Sequence, residues 1–250
     1  MIVLGIDIGG TGIKGALVDT SNGELVTDRL RIPTPQPSTP KAVIEVVKEL
    51  VAHFNYDGPI GMGIPGVVSK GVVRTAANID NGWIDYPGEA KLTKAIGCPV
   101  TLLNDADVAA VAEMAFGAGR NQSGVVMIFT LGTGIGAAMF VNGRVVPNLE
   151  LGHLYLKGHK YDAEVYASDR TRKKEALKWK AWADRLNEYF QYIEFLFSPN
   201  LIIIGGGVSK KHDKFLPLLK LKAPIVPAEL RNEAGIVGAA MAAYQRASGF

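Results

Sequence analysis

The chain has 250 residues, 48% of them hydrophobic and 20% charged, with a formal net charge of +3. This is the composition of an ordinary globular protein, long enough for one large domain or two small lobes, and its charge is too modest to indicate nucleic-acid binding. The single cysteine, Cys98, excludes an internal disulfide and a multi-cysteine zinc site, and no apolar run approaches the roughly 20 residues of a membrane span.

In chain order, apolar runs predict strands over residues 2–7, 13–18 and 25–32, an antiparallel meander whose first two members meet through a glycine turn. Since the first strand starts at Ile2, no room is left for a secretory leader, and a cytoplasmic location is expected. A proline-rich stretch follows, with Ser38 or Thr39 as N-cap and Pro40 at the first position of a helix. Its apolar face is Val43, Val46, Val47, Leu50, Val51 and Phe54. Short strands are predicted over 60–64, ending at Pro65-Gly66, and over 100–103, ending at Asn104-Asp105 before an alanine-rich helix that runs to about Phe116. Both ends are candidate site edges, because ligands of open α/β sheets gather beyond the carboxyl ends of strands.

Strands over 125–131 and 135–141 repeat the opening hairpin, 179–197 reads as a long helix and 201–204 as a buried strand. Gly205-Gly206-Gly207 then opens into another helix, and 235–246 forms a small-residue helix suited to close packing between lobes. The order of meander, helix and strand, followed by a similar series, describes a duplicated α/β fold with a cleft between its halves.

The duplication extends to two turns of one design, Asp7-Ile8-Gly9-Gly10-Thr11-Gly12-Ile13 and Thr130-Leu131-Gly132-Thr133-Gly134-Ile135. Glycines let backbone amides approach an anion and threonine hydroxyls add donors, so the pair suggests a phosphate clamp; a single copy would read more readily as an ordinary hairpin. Lys14, just past the first turn, reads either as a phosphate partner or as an outward strand lysine. Two basic clusters suit a polyanion or a solvated face: Arg170, Arg172, Lys173 and Lys174, and Lys210, Lys211 and Lys214 after the triple glycine. His53, His159 and His212 have no visible partner and read as surface residues.

Five ordered segments resemble the ROK (repressor, open reading frame, kinase) family, within the superfamily of actin, hexokinases and heat-shock ATPases. They are Asp7-Ile8-Gly9-Gly10-Thr11, Leu103-Asn104-Asp105-Ala106, Thr130-Leu131-Gly132-Thr133-Gly134-Ile135-Gly136, Glu150-Leu151-Gly152-His153 and Ile204-Gly205-Gly206-Gly207-Val208. The runs Thr75-Ala76-Ala77-Asn78, Val146-Pro147-Asn148, Gly206-Gly207-Val208-Ser209-Lys210-Lys211 and Ile225-Val226-Pro227-Ala228-Glu229-Leu230 are similar to the polyphosphate glucokinases in particular. The resemblance implies a duplicated ribonuclease H-like fold of two lobes. A small lobe of 1–103, completed by a helix at 235–250, and a large lobe of 104–234 are expected. It further implies transfer of a terminal phosphoryl group from inorganic polyphosphate, ATP or both to the 6-hydroxyl of glucose. Typical ROK kinases carry a cysteine-rich zinc motif after the Gly-His pair; this chain has none there, as in the polyphosphate glucokinases, and no zinc is expected.

By the same resemblance, Asp105 is the base for the 6-hydroxyl, and it reads alternatively as a helix N-cap. Asn104, Asn78 and Gly66 carry over to the sugar pocket, and Glu150, His153 and Glu164 are the sugar-hydroxyl ligands. Asp7 helps to hold Mg²⁺ through water, or serves only as a turn residue. Gly205, Gly206 and Gly207 form the adenosine and phosphate edge of ATP-using relatives. The resemblance also implies a homodimer, no nucleic-acid partner and no membrane. A strictly ATP-dependent hexokinase and a non-catalytic sugar sensor are the alternatives. A family repressor would need a helix-turn-helix ahead of the strand that already begins at Ile2.

Overall fold

The computed structural model describes residues 1–230 and 233–249. Its strands open as expected: β1 (Ile2–Ile8) pairs antiparallel with β2 (Ile13–Asp19). The third expected strand is instead two short ones, β3 (Glu24–Leu25) and β4 (Leu30–Ile32), which pair with the two ends of β2. Between them the chain leaves the ladder, and the Thr27 hydroxyl accepts from the Leu17 amide.

Helix α1 (Pro40–Phe54) starts as its sequence dictates. Thr39 Oγ1 accepts from the Ala42 amide at 3.3 Å, Pro40 occupies the first turn, and Asn55 ends the helix in the left-handed region at φ 46°. Ser38, the other cap candidate, accepts from the Asp80 amide instead. Then come β5 (Ile60–Ile64), a small hairpin of β6 (Val68–Ser69) and β7 (Val72–Val73), α2 (Gly88–Ile96), β8 (Val100–Asn104) and α3 (Asp105–Phe116). The sheet order is β3-β2-β1-β5-β8, with β5 and β8 parallel to β1.

The second series has β9 (Val125–Leu131), β10 (Ile135–Val141) and β11 (Arg144–Leu149), then α4 (Ala163–Ala167), α5 (Asp169–Lys174) and α6 (Trp179–Phe197). It closes with β12 (Leu201–Gly205) and β13 (Ile225–Pro227), giving the order β11-β10-β9-β12-β13, again antiparallel on one side of the central strand and parallel on the other. The two sheets therefore share one plan, and the duplication read from the sequence is present. Each has its own core. One gathers Leu4, Ile6, Met62, Leu50 and Trp83; the other gathers Phe129, Trp182, Tyr189, Phe190 and Ile204.

After the triple glycine, the expected helix is a stretch of 3-10 turns over Gly207–Lys214, kinked at Lys211. Val208 is its one buried residue, so no apolar stripe of period 3.6 exists to fasten a longer α-helix.

Helix α7 (Ala234–Ala247) returns to the first series. It packs on α3, β1 and β5, and a Cβ on Gly238 would overlap the Val108 carbonyl of α3, so glycine is required for that approach. The chain accordingly forms two compact units: residues 1–116 with the C-terminal helical segment, and a second unit beginning at Gly117. The first unit thus runs through α3 to Phe116 rather than stopping at 103, because α3 is the main partner of α7. Arg231 and Asn232 of the expected large lobe, and Phe250 of the expected closing helix, lie outside the described residues. Among the described residues no helix is long and apolar enough to cross a membrane.

Candidate active site

In the first unit the candidate residues collect at the carboxyl ends of three parallel strands. Register places Asp7 opposite Gly63, and Ile64 opposite Asn104, so Asp7, the turn at Gly66 and Asn104-Asp105 share one sheet edge. The turn Gly9–Gly12 closes on itself through a 3.1 Å bond from the Gly9 amide to the Gly12 carbonyl. Three of its carbonyl oxygens, which would repel a phosphate, are occupied: Thr34 Oγ1 donates to Gly9, Gln36 Nε2 to Gly10 at 3.3 Å and Arg31 Nη2 to Thr11 at 2.9 Å. These three residues carried no signal in the sequence; they come from β4 and the segment after it, more than nineteen positions away.

Asp7 and Lys14 face each other across the β1–β2 hairpin, with Nζ 3.2 Å from Oδ2. Lys14 therefore already has a carboxylate partner. Asn78 sits beside the turn at φ 61°, so close that a Cβ on Gly10 would lie 2.6 Å from its carbonyl oxygen. Asn104 joins the two strand ends: its Nδ2 donates to the Gly66 carbonyl at 3.2 Å while Oδ1 accepts from the Ala106 amide at 2.7 Å. Asn104 is thus the cap of α3, and Asp105 stands exposed at the first helical position.

The second unit repeats the layout. Gly205 pairs with Thr130, and Gly206, at φ 83°, lies against Leu131, so the triple glycine adjoins the turn Gly132–Gly134. The Gly132 amide donates to Gly134 at 3.0 Å, and the Gly132 carbonyl accepts from the Arg170 amide at 3.0 Å. Glu164, on α4, accepts from the Ile135 amide at 3.0 Å, and a Cβ on Gly134 would overlap its carboxylate. Thr133 lies between the two glycines of this turn, and Lys210 and Lys211 are exposed on the 3-10 stretch beyond.

Glu150 and His153 flank the short turn after β11. Burial pushes the Glu150 carboxyl above its usual range, opposed by His153 and aided by Glu164. His153 Nδ1 lies 2.9 Å from Asp162 Oδ2, a hydrogen bond that raises the imidazole above its ordinary value and leaves Nε2 for a ligand. Burial works to raise Asp162, yet His153 and the Val165 amide hold it below the normal carboxylate range. Asp162 was not legible as a site residue: one oxygen caps α4 and the other orients His153, which only the folded loop reveals.

Two expectations are corrected. His159 and His212 are not unpartnered surface residues: His159 Nε2 lies 2.7 Å from Glu188 Oε1, and His212 Nδ1 lies 3.0 Å from the Ser209 carbonyl. The first basic cluster is not a free row, since Arg172 and Lys173 both pair with Asp169 at 2.7 Å and Arg172 stacks 4.1 Å from the Trp179 ring centre. Arg170 differs, with its guanidinium 3.9 Å from Glu164. In the second unit a cavity of about 490 Å³ adjoins the 3-10 stretch, lined in part by Ser209, Lys210, His212 and Glu229. Among the described residues no group of three or more His, Cys, Asp and Glu could hold a metal ion. A magnesium ion needs no such group, because it keeps its waters and leans on one or two carboxylates plus phosphate oxygens. Asp7, partly exposed beside the first turn, fits that requirement.

The ROK family model matches residues 3–165 of the chain. The polyphosphate glucokinase of Mycobacterium tuberculosis (strain CDC 1551 / Oshkosh) is 47% identical over 239 residues, covering 95% of this chain and 89% of the relative. Among solved structures, the inorganic polyphosphate/ATP-glucomannokinase from Arthrobacter sp. strain KM superposes with a TM-score of 0.88 at 49% identity, covering 98% of this chain and 99% of that one. A ROK family glucokinase from Streptomyces griseus, in complex with glucose and AMPPNP, gives 0.78 at 26% identity, covering 98% and 100%.

Proposed function

The chain belongs to the ROK family, and from that premise we propose that it is a glucokinase that phosphorylates the 6-hydroxyl of glucose, with inorganic polyphosphate and ATP as donors. The observation that carries this reading is the repeated half-site: each unit sets a glycine turn at the carboxyl edge of its sheet, and the first adds an exposed carboxylate, Asp105, whose capping duty Asn104 has taken.

Asp105 accepts the proton of the 6-hydroxyl as that oxygen attacks the terminal phosphorus and the bond to the bridging oxygen breaks. The shortened polyphosphate, or ADP, leaves with the bonding electrons. In the first unit Asn104, Asn78 and Gly66, and in the second unit Glu150, His153 and Glu164, are the residues assigned by the resemblance to the hydroxyls of the sugar. Glu150 and Glu164 accept, and His153 presents Nε2 because Asp162 occupies Nδ1. The glycine turns, with Thr11, Thr130 and Thr133, supply amides and hydroxyls to the phosphates. Asp7 would hold Mg²⁺, which would supply positive charge against the charge that builds on the leaving group.

Lys210 and Lys211, with Arg170 at the second turn, give a polyanionic donor its positive counterpart, while the neighbouring triple glycine and cavity favour ATP as a further donor. A homodimer in the cytoplasm completes the reading. The test is a coupled assay of purified protein with glucose and either long-chain polyphosphate or ATP. Glucose 6-phosphate from polyphosphate is expected. Turnover with ATP alone would make the protein a strictly ATP-dependent hexokinase, and inactivity with both would make it a sensor.

A further inference from the structure

Two side chains from the segment 154–167 converge on one carboxylate of α6. His159 Nε2 lies 2.7 Å from Glu188 Oε1, and the Tyr166 hydroxyl donates to Glu188 Oε2 at 3.0 Å. Their rings lie together, with centroids 4.3 Å apart. Arg185, one turn before Glu188, donates to the Tyr166 carbonyl at 2.9 Å, spreads over the Tyr166 ring and is itself held by Glu175 at 2.6 Å.

The two tethers bracket Asp162 and Glu164 in the sequence. Asp162 orients His153 and caps α4; Glu164 accepts from Ile135 at the second glycine turn. What this segment delivers to the sugar-binding residues therefore lies between the points where Glu188 fastens it. The apolar contacts of the segment lie at its two ends, through Leu154 and Leu156 on one side and Ala163, Tyr166 and Ala167 on the other, which leaves the loop between them to be held by polar contacts. Nor, among the described residues, is there a cluster with which a metal could staple it.

We propose that Glu188 is a positioning residue for sugar binding, a surface carboxylate that clamps His159 and Tyr166 and thereby sets where His153 and Glu164 stand. The inference rests on the glucokinase reading. A segment ordered in advance pays less conformational entropy when glucose binds, so loosening it weakens glucose affinity and spares the donor. Because the Glu188 and His159 side chains remain 43% and 25% exposed, their removal opens no core cavity.

The experiment compares the full chain with Glu188→Ala, Glu188→Gln and His159→Ala. It reads glucose Kd by calorimetry without donor, KM for glucose and for polyphosphate, and amide hydrogen exchange over 154–167. Glu188→Ala and His159→Ala should each raise the glucose Kd roughly tenfold, the usual scale for losing an outer hydrogen-bonded support, with faster exchange confined to the segment. The polyphosphate KM should change by less than about twofold. Glu188→Gln should recover most of the loss, since its amide oxygen still accepts from Tyr166. Unchanged glucose affinity, unchanged exchange, or a donor KM that rises in step would overturn the proposal. If Glu188→Ala fails to fold, His159→Ala, which deletes one partly exposed ring, carries the same expectation. A wild-type chain that does not bind glucose sinks the kinase reading itself, an outcome distinct from failure of the clamp in a protein that binds glucose normally.

Discussion

At the scale of single residues, Asn104 and Asp105 divide two duties that the sequence leaves merged. An Asn-Asp pair before a helix can cap with either member, and here the asparagine caps while the aspartate stands exposed. Replacing Asp105 by Ala should lower kcat by about 10²–10⁴, the span of a lost general base, without shifting the thermal midpoint appreciably. Retention of more than a few per cent of activity, as measured in the coupled assay, would remove Asp105 from that role. His153 offers a second test. Asp162 raises its affinity for a proton in the folded state, so this stabilisation is complete below the ordinary histidine value of 6.5 and fades as pH climbs through the raised one. The lowered Asp162 makes a contribution that fades in the opposite direction, as pH falls through its folded value. A proton NMR titration should place the His153 midpoint above 6.5 and bring it down in Asp162→Asn, whose side chain still caps α4; equal midpoints would mean that the pair is not formed in solution. Asp7 and Asp105 could be singled out because they stand next to a glycine turn or a strand end, and Glu164 only through the family resemblance of its segment. Arg31, Thr34, Gln36 and Asp162 were not, since their residue types are ordinary and their partners lie at a distance along the chain.

At the scale of elements, the continuous apolar strands and the long helix α6 were readable, whereas segments held by few apolar residues were not. The split of the third strand into β3 and β4 and the 3-10 form of Gly207–Lys214 both occur where local burial is thin. Helix α2 has just Gly88 and Leu92 buried, too little for a periodic signal. The second glycine turn carries a requirement of its own, because the Glu164 carboxylate occupies the space of a Gly134 side chain. Gly134→Ala must displace that carboxylate and should cost roughly 1–3 kcal/mol, the range for overpacking. Chemical denaturation measures the loss, and a raised glucose KM should accompany it. Stability and KM both equal to wild type would show that Glu164 is not seated there.

At the scale of the whole molecule, a net charge of +3 says little, but the local cluster of Lys210, Lys211 and Lys214 bears on donor choice. Changing all three to alanine should raise the polyphosphate KM more than the ATP KM and flatten the dependence of polyphosphate binding on salt, because each paired phosphate releases counterions. An unchanged ratio of the two KM values would make these lysines solvated surface alone. The duplication was legible because each half writes out the same meander and turn, and the resemblance led to the expectation that the closing helix completes the first lobe; a run of alanines and glycines alone shows that something packs closely on α7 without showing that its main partner is α3. Its seat on α3, β1 and β5 has an outcome for biosynthesis. On the ribosome, the early-encoded sheet must wait for a helix translated almost last, whereas the later-encoded unit has every strand in hand before then. The nascent protein should therefore mature out of register with its own reading frame, its opening strands leaving the tunnel first and settling last.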